Sequence, residues 1–315
     1  MILTVTLNPA IDKTYLTKEW KPGQVNRMES MENIPGGKGI NVSKILCQYA
    51  CPVTATGFLG GYTGRWIEER LREMGIDCAF VKTQGDTRCS MNVVSDNGTV
   101  TEILEPGPQI SPEERLVFFG KFRELVRRCD LAVISGSAAP GLLDDIYAEL
   151  IDIAKNYDKK VILDSSREVL AAGVEAGPWL IKPNVRELEF LAGHRCVSHR
   201  DILEAAEPLL KKDISYVAVS AGEEGMYLFG EGRRLFAKAP KVKAVNTVGC
   251  GDSACASFAM SILDGDSMEI MLKKAVALSA ANATTLESGS IPQEYAQELL
   301  RSVEVRELGS IISGL

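Results

Sequence analysis

Two glycine-rich stretches combine a pliable backbone with side chains that suit phosphate chemistry. The first is PGGKGINVS at residues 35–43, and the second is NTVGCGDS at residues 246–253. Glycines let the backbone turn tightly and approach a ligand closely, and the free N–H groups at the start of a following helix attract an anion. Each stretch alone is also compatible with a plain tight turn between a strand and a helix.

Asp252 distinguishes the second stretch from a generic turn, because it directly follows the glycines. A helix N-terminus stabilises a carboxylate anion, whereas burial would raise the carboxyl pKa. If the amides of Gly249, Cys250 and Gly251 face a transferring phosphoryl group, Asp252 could accept a proton from an attacking hydroxyl. The alternative is that Asp252 only caps a helix that runs through Phe258.

Neither stretch is a standard nucleotide-binding motif. The first fails the Walker A pattern, because Gly39 follows the Gly-Lys pair and Glu32 stands where the first glycine belongs. The second fits a G-x-G-x-x-A dinucleotide pattern by letter. A Rossmann unit then needs a second strand ending in an acidic residue, and residues 268–285 look helical instead.

The charge balance excludes several classes of protein. The chain has 315 residues, with 35 Lys plus Arg against 42 Asp plus Glu, which gives a net charge of −7. A domain that attracts nucleic acid or anionic lipid non-specifically is usually basic, so we expect neither partner. The only histidines are His194 and His199, which leaves almost no material for a histidine-based metal site or triad.

The cysteines and the N-terminus indicate where the protein works. No two of the eight cysteines have C-x-x-C spacing, which argues against a structural zinc site. The first residues have neither the basic start of a signal peptide nor an apolar run long enough to cross a membrane. We therefore expect a soluble, cytoplasmic protein with reduced thiols.

The second half of the chain alternates buried strands with helices. Apolar runs that predict strands lie at residues 131–135, 161–164, 179–182 and 216–220, and helical patterns lie at 143–157 and 202–212. A Ser-Pro-Glu-Glu sequence at residues 111–114 predicts the start of a further helix that runs through Arg128. This order favours an α/β fold whose parallel sheet carries helices on both faces.

Two segments interrupt the alternation, at about residues 13–34 and 88–104. The second reads as a hairpin, with strands at 89–95 and 99–104 and a turn at 96–98. Strands without crossover helices could form a small separate sheet that covers a site as a lid. Since such a sheet would expose strand edges and an apolar face, we expect a homodimer joined through the lids.

Eight sequence blocks together resemble one family. The chain is similar to the ribokinase-like sugar kinases, in the phosphofructokinase-B branch that includes 1-phosphofructokinases and tagatose-6-phosphate kinases. The resemblance implies a single kinase domain over residues 1–315: a three-layer α/β/α sandwich with a central, mostly parallel sheet and a small β-sheet lid. The matching blocks are TLNPAID at 6–12, GGKGINVS at 36–43, GFLGGYTG at 57–64, DTR at 86–88, SGSAAPG at 135–141, IKPNVRE at 181–187, VSAGEEG at 219–225 and NTVGCGDS at 246–253.

The resemblance implies roles for residues near the sugar. Asp252 matches the family's catalytic base, and the anion hole matches Gly249, Cys250 and Gly251. The positions expected to hold the sugar are Asp12 and Asn41 at its hydroxyls, with Gly37 and Lys38 beneath it. The positions expected to bind the phosphate of an already phosphorylated substrate are Arg27, Arg88 and Ser137.

On the nucleotide side, the resemblance implies ATP and Mg²⁺. Asn184 and Glu187 match the family's N-x-x-E motif, which organises Mg²⁺ through water, and their spacing at a helix start puts both side chains on one face. Without the resemblance, Glu187 would be read as a solvated helix carboxylate. The other positions expected along the nucleotide are Lys182, Ser220, Gly222, Gly225 and Asn282.

The implied activity is ATP-dependent phosphorylation of a ketohexose monophosphate to the bisphosphate. Fructose 1-phosphate is the preferred acceptor, and tagatose 6-phosphate is the alternative. A kinase for a free sugar or nucleoside, and a sensor that binds sugar phosphate without catalysis, are further alternatives. Cys250 departs from the alanine usual in the family, but only its backbone amide is needed.

Overall fold

Eleven strands form one sheet in the computed structural model, which describes residues 1–96 and 99–309. Most neighbouring strands are parallel, and only the three strand pairs at one edge of this sheet are antiparallel. In spatial order the strands are β15 (Val305–Glu307), β14 (Arg233–Lys238), β13 (Gly225–Gly230), β12 (Tyr216–Ser220), β11 (Leu180–Ile181), β10 (Lys160–Asp164), β9 (Leu131–Ser135), β1 (Ile2–Thr6), β4 (Val53–Gly60) and β5 (Asp77–Cys78), with β6 (Val81–Thr83) also beside β4.

Helices cover both faces of this sheet, because its central strands are apolar on both sides. Along β9, Val133 packs into one core cluster and Ile134 into the other. The helices on the first face are α1 (Lys38–Gln48), α2 (Gly61–Glu73), α8 (Cys250–Asp264), α9 (Met268–Asn282) and α10 (Gln293–Ser302). The helices on the second face are α3 (Pro112–Arg128), α4 (Ile146–Lys155), α5 (Arg167–Glu175), α6 (Val185–Ala192) and α7 (His199–Ala206). The predicted three-layer α/β/α fold is confirmed.

The predicted elements are present, with shifted ends where local chemistry intervenes. The strand predicted at 179–182 shortens to β11, and Pro183 then directs the chain toward α6. The helix predicted at 202–212 begins earlier, because Ser198 forms a capping box, and it becomes a 3₁₀ turn at Glu207–Lys211 around a proline. The capping box predicted at Ser111 is present at the start of α3.

A second sheet of four strands lies over the carboxyl end of the main sheet. Its order is β3 (Ser30–Gly36), β2 (Ala10–Thr17), β7 (Arg88–Ser95) and β8 (Val100–Leu104). The strands of the first expected lid segment, about 13–34, begin at Ala10 and end at Gly36, so this sheet includes Asp12. The hairpin of β7 and β8 is present, while residues 97 and 98 of its predicted turn lie outside the described residues.

Parallel pairing of β2 with β7 joins the two segments, with Ala10 opposite Arg88. The motion of this sheet as a lid, and the assignment of residues 1–315 to one domain, stay predictions. Within residues 1–96 and 99–309, no helix is both long and apolar enough to span a membrane.

Candidate active site

A cleft of about 510 Å³ opens between the carboxyl ends of the parallel strands and the four-stranded sheet. In parallel α/β sheets this is where ligands bind, because strand ends and helix N-termini converge there. The cleft brings together most of the predicted residues from distant parts of the chain. Those that line it are Asp12, Gly37, Lys38, Asn41, Arg88, Ser137, Lys182, Asn184, Glu187, Ser220, Gly249, Gly251 and Asp252.

Asp252 lies in the first turn of α8 and is 5% exposed. Its Oδ2 accepts a hydrogen bond from Asn41 Nδ2 at 2.8 Å, so helix α1 orients the carboxylate. Burial raises the pKa of Asp252 to about 6, against the opposing effect of the nearby Lys38 ammonium. The side chain therefore points into the cleft as a weak base instead of capping its own helix.

The loop before Asp252 presents backbone groups to the cleft. Gly249 takes a positive φ of 88° at the start of α8, a conformation that glycine adopts without strain. Gly249 and Gly251 line the cleft, whereas Cys250 does not. The Cys250 amide donates a long hydrogen bond of 3.4 Å to the Thr247 carbonyl, while the Gly251 amide lies in the first turn of α8, where backbone N–H groups have no partner within their own helix.

The Cys250 side chain lies against α9, where Asn282 Nδ2 approaches its sulfur at 3.6 Å. Burial raises the pKa of this thiol. The side chain is thus directed away from the cleft.

A buried carboxylate, Asp164, holds two lysines at the centre of the cleft. It ends strand β10 and is 1% exposed, with Oδ1 at 2.9 Å from Lys38 Nζ and Oδ2 at 3.4 Å from Lys182 Nζ. Although burial opposes it, the two ammonium groups keep the pKa of Asp164 below its ordinary value. Asp164 was not predicted from the sequence as a site residue. Its signal was a lone acidic residue at the carboxyl end of a predicted parallel strand.

Asp12 and Arg88 enter the cleft from the four-stranded sheet, on the neighbouring strands β2 and β7. Burial raises the pKa of Asp12 to about 6, against the charges of Lys44 and Arg88. Gly36 packs against this carboxylate so closely that a Cβ there would lie 2.0 Å from Asp12 Oδ2. The Arg88 guanidinium donates hydrogen bonds to the carbonyl oxygens of Asn8 and Glu105 at 3.1–3.3 Å.

Other polar side chains from the same sheet also line the cleft. They were not predicted from the sequence as site residues. Ser90 and Asn92 follow Arg88 at every second position of β7, and Glu102 lies on the neighbouring β8. Alternate residues of a strand share a face. The polar alternation after Arg88 was therefore a usable signal once that arginine had been placed in the site.

The N-x-x-E residues form a reciprocal capping box at the start of α6. Asn184 Oδ1 accepts from the Glu187 amide and Glu187 Oε2 accepts from the Asn184 amide, both at 2.9 Å. Ser220, at the end of β12, forms an isolated backbone bridge with Asn184. Lys182 is 4% exposed just before this motif. The four residues give the second end of the cleft a mixed polar and cationic lining.

Four of the predicted residues besides Cys250 lie outside the cleft lining. Arg27 is exposed in the connection between β2 and β3, and Gly222 begins a 3₁₀ turn. Gly225 is buried in β13, where a Cβ would lie 2.0 Å from the Ala237 carbonyl oxygen, so packing explains this glycine. Asn282 is fully buried and bridges two backbone groups, the Val248 carbonyl at 2.9 Å and the Gly289 amide at 3.0 Å.

Across residues 1–96 and 99–309, no group of three or more His, Cys, Asp and Glu side chains is arranged to hold a metal ion. The predicted Mg²⁺ site needs no such group, since it uses one carboxylate, Glu187, and water.

Comparison with known proteins identifies the family. The model of the pfkB family of carbohydrate kinases matches residues 5–294. The chain belongs to this family. The resemblance stated above and the prediction of a phosphotransferase with an alcohol group as acceptor are thereby confirmed.

Two relatives that align over their whole length are sugar-phosphate kinases by name. It is similar to a tagatose-6-phosphate kinase of Staphylococcus epidermidis, with 37% identity over 98% of this chain and 100% of the relative. It is similar to a 1-phosphofructokinase of Bacillus subtilis, with 36% identity over 98% of this chain and 100% of the relative. Its fold is similar to that of phosphofructokinase-2 from Escherichia coli in complex with potassium, with a TM-score of 0.89 and 27% identity over 96% of this chain and 98% of that chain.

Proposed function

We propose that this kinase transfers the γ-phosphoryl group of ATP to a ketohexose monophosphate, with fructose 1-phosphate as the acceptor. The observation that carries the proposal is one cleft in which the buried base Asp252 and the cation Arg88 both face the space for a sugar. The named relatives, a tagatose-6-phosphate kinase and a 1-phosphofructokinase, support a phosphosugar acceptor. Their similar identities leave tagatose 6-phosphate as the alternative.

Asp252 acts as the general base in this proposal. It accepts the proton of the attacking sugar hydroxyl, whose oxygen forms the new bond to phosphorus while ADP leaves. A pKa of about 6 leaves the carboxylate ionised at neutral pH yet basic enough to take up a proton. The amides at Gly249 and Gly251, together with Lys38 and Lys182, stabilise the negative charge of the transferring group.

Two buried amide side chains support binding of the sugar hydroxyls. The oxygens Asn41 Oδ1 and Asn8 Oδ1 accept no hydrogen bond from the described part of the chain. A buried acceptor without a partner is costly unless a ligand satisfies it. We assign Asn41 and Asp12 to the sugar hydroxyls, with Gly37 and Lys38 beneath them and Arg88 and Ser137 at the substrate phosphate. Arg27 reaches this site only if its exposed connection moves.

ATP and Mg²⁺ are assigned to the end of the cleft formed by Lys182, Asn184, Glu187 and Ser220. The capping box fixes the Glu187 carboxylate through Oε2, and its Oε1 makes no hydrogen bond to the described residues. A carboxylate oxygen with room for water suits Mg²⁺, which keeps several of its waters. Bound Mg²⁺ would neutralise charge on the nucleotide phosphates. Gly222, Gly225 and Asn282 lie outside the lining of the cleft, and their role along the nucleotide stays a prediction.

A homodimer through the four-stranded sheet is part of the proposal. Large apolar side chains are exposed on that sheet, namely Leu16, Met31, Val100, Ile103 and Leu104. Exposed apolar patches and open strand edges favour a partner surface. Sedimentation of the native protein tests the dimer: a monomer at micromolar concentration would contradict it. A cytoplasmic location without nucleic-acid or membrane partners stays a prediction.

Two other functions would leave residues of the cleft without a role. A kinase for a free sugar or nucleoside would leave Arg88 and Ser137 without a phosphate partner. A sensor without catalytic activity would have no need of the base Asp252.

A coupled assay of ADP formation tests the proposal. The acceptors are fructose 1-phosphate, fructose 6-phosphate, tagatose 6-phosphate, free fructose and free tagatose, each with ATP and Mg²⁺. We expect the highest kcat/KM with fructose 1-phosphate, and a highest value with tagatose 6-phosphate would select the alternative. Equal turnover of free fructose and fructose 1-phosphate would refute a phosphosugar kinase.

A further inference from the structure

Lys44 is a buried lysine to which the proposed chemistry assigns no role. It lies on α1, three residues after Asn41, and is 4% exposed. Its Nζ donates a hydrogen bond to the Ser288 carbonyl at 2.6 Å and lies 2.9 Å from Glu287 Oε1. Burying an ammonium group is costly unless it is paired. These contacts therefore hold the Lys44 side chain against the segment that contains both partners.

That segment, residues 287–291, is called here the bracing loop, and it is tied to α1 a second time. Gln48 Nε2 donates to the Gly289 carbonyl at 2.8 Å, and Gln48 Oε1 accepts from the Ile291 amide at 2.9 Å. Two side chains on successive turns of α1 therefore hold the bracing loop against the helix that also orients the base.

The bracing loop in turn holds the loop that opens α8. The Gly289 amide donates to Asn282 Oδ1 at 3.0 Å, and Asn282 Nδ2 donates to the Val248 carbonyl at 2.9 Å. Gly289 is also wedged between the two elements: a Cβ on it would lie 3.1 Å from Asn41 Cα, and a Cβ on Gly249 would lie 3.0 Å from the Gly289 amide nitrogen. An unbroken series of contacts therefore links Lys44, through the bracing loop and Asn282, to the proposed anion-binding backbone.

We propose that Lys44 is a positioning residue, which fixes the backbone at Val248–Gly251, at the start of α8, relative to Asn41 on α1 through the bracing loop. The inference rests on the proposed kinase function. Lys44 touches neither phosphate nor base. Its effect is to hold the start of α8, with the anion-binding amides and the base, at a constant position relative to Asn41 on α1, and misplacement of reacting groups by about 1 Å can cost 10²-fold in rate.

Lys44 has a second effect that a purely structural residue would lack. Its charge opposes the rise in the pKa of Asp12 caused by burial, together with Arg88, whereas Asp252 and Glu102 act in the opposite direction. Loss of the Lys44 charge would raise the pKa of Asp12 further above about 6. The acidic limb of the pH profile would therefore move to higher pH.

The test compares Lys44→Met with Lys44→Arg and with the control Lys274→Met. Lys274 is also paired with acidic groups, Asp264 and Asp266, but lies on α9 eight residues before Asn282. We expect Lys44→Met to lower kcat by about tenfold to 10²-fold with little change in either KM, and to move the acidic limb to higher pH. Lys44→Arg should restore most of the native kcat and most of the native pH profile. Lys274→Met should match the native enzyme in both quantities.

A folded Lys44→Met enzyme with native kcat and a native pH profile would overturn the inference while leaving the kinase function intact. A native protein without phosphosugar kinase activity would overturn the function and the inference with it. If Lys44→Met does not fold, Gln48→Leu decides, because it removes only the second tie to the bracing loop. We expect a several-fold lower kcat in that variant, and a native kcat would overturn the inference.

Discussion

The two ends of the cleft are built in different ways. The transfer end, defined by residues 249–252 with Lys38, Lys182 and Asp164, stands on helix starts and strand ends of the main sheet. The sugar end, defined by Asp12 and the polar face of β7, stands on the small four-stranded sheet. One end uses backbone amides and buried charges, and the other uses partly exposed side chains. The first is suited to fix the reaction and the second to select the acceptor.

The largest expected effect concerns the base of the transfer end. Asp252→Asn should lower kcat by about 10²–10⁴-fold, the usual cost of losing a general base, with both substrates still bound. Steady-state kinetics and calorimetric titration of each substrate measure the two quantities. Native turnover in this variant would remove Asp252 from its proposed role.

The buried charges of the transfer end should also matter for stability. Asp164→Asn leaves Lys38 and Lys182 without their counter-charge, and breaking a buried ion pair from one side costs about 3–5 kcal/mol. Urea unfolding followed by circular dichroism measures the change. The control Asp213→Asn removes an exposed partner of Lys155 and should cost no more than about 1 kcal/mol. Equal stabilities for the two variants would contradict the account.

At the sugar end, Arg88→Ala should weaken phosphosugar binding and leave ATP binding nearly unchanged. A hydrogen bond to a charged group contributes about 1.5–3 kcal/mol, which corresponds to about a 10- to 150-fold rise in KM for the phosphosugar. The control Arg200→Ala removes an exposed arginine that pairs with Glu204 on α7. A parallel rise in both KM values would show that the two ends are not separable.

The pH dependence of kcat/KM should reflect the two carboxyl groups of the cleft whose pKa is raised by burial, Asp252 and Asp12. Asp252 and Asp12 have pKa values raised to about 6, so each gains a proton, and loses its function as an anion, as the pH falls through that value. Protonation of Asp252 alone should lower kcat/KM about tenfold at pH 5. A rate profile from pH 4.5 to about 8 tests this expectation. An acidic limb near pH 4 would mean that burial does not control these groups.

The smallest effect is expected at Cys250. Its side chain faces Asn282 instead of the cleft, so Cys250→Ala should change kcat and both KM values less than about twofold. A tenfold loss would show that the transfer end depends on this side chain and not on backbone alone.

The same contrast explains what could be predicted from sequence. Within the transfer end, Gly249, Gly251 and Asp252 lie in one contiguous motif, so they could be predicted together with the helix that they open. Ser90 and Asn92 were missed because their place depends on the parallel pairing of β2 with β7, which joins segments far apart in sequence. Asp164 was missed because its pairing with two lysines from separate elements exists only in the folded chain.

Boundaries and shape were harder to predict than element types. The alternation of strands and helices predicted the layered sandwich, since strands that are covered on both faces form short, continuous apolar runs. The strands of the first lid segment, expected at about 13–34, extend from Ala10 to Gly36, because Ala10 pairs with both Gly36 and Arg88 in the folded sheet. Arg27 was predicted to bind the substrate phosphate, and it lies in an exposed connection outside the cleft lining.

The central claim is direct transfer from ATP to a sugar that already carries a phosphate. Phosphorus NMR of a mixture of the native enzyme, ATP, Mg²⁺ and fructose 1-phosphate tests it most directly. We predict that ADP appears together with a second phosphate monoester on the same sugar, while the original monoester remains. Formation of ADP with inorganic phosphate and no second monoester would contradict the account.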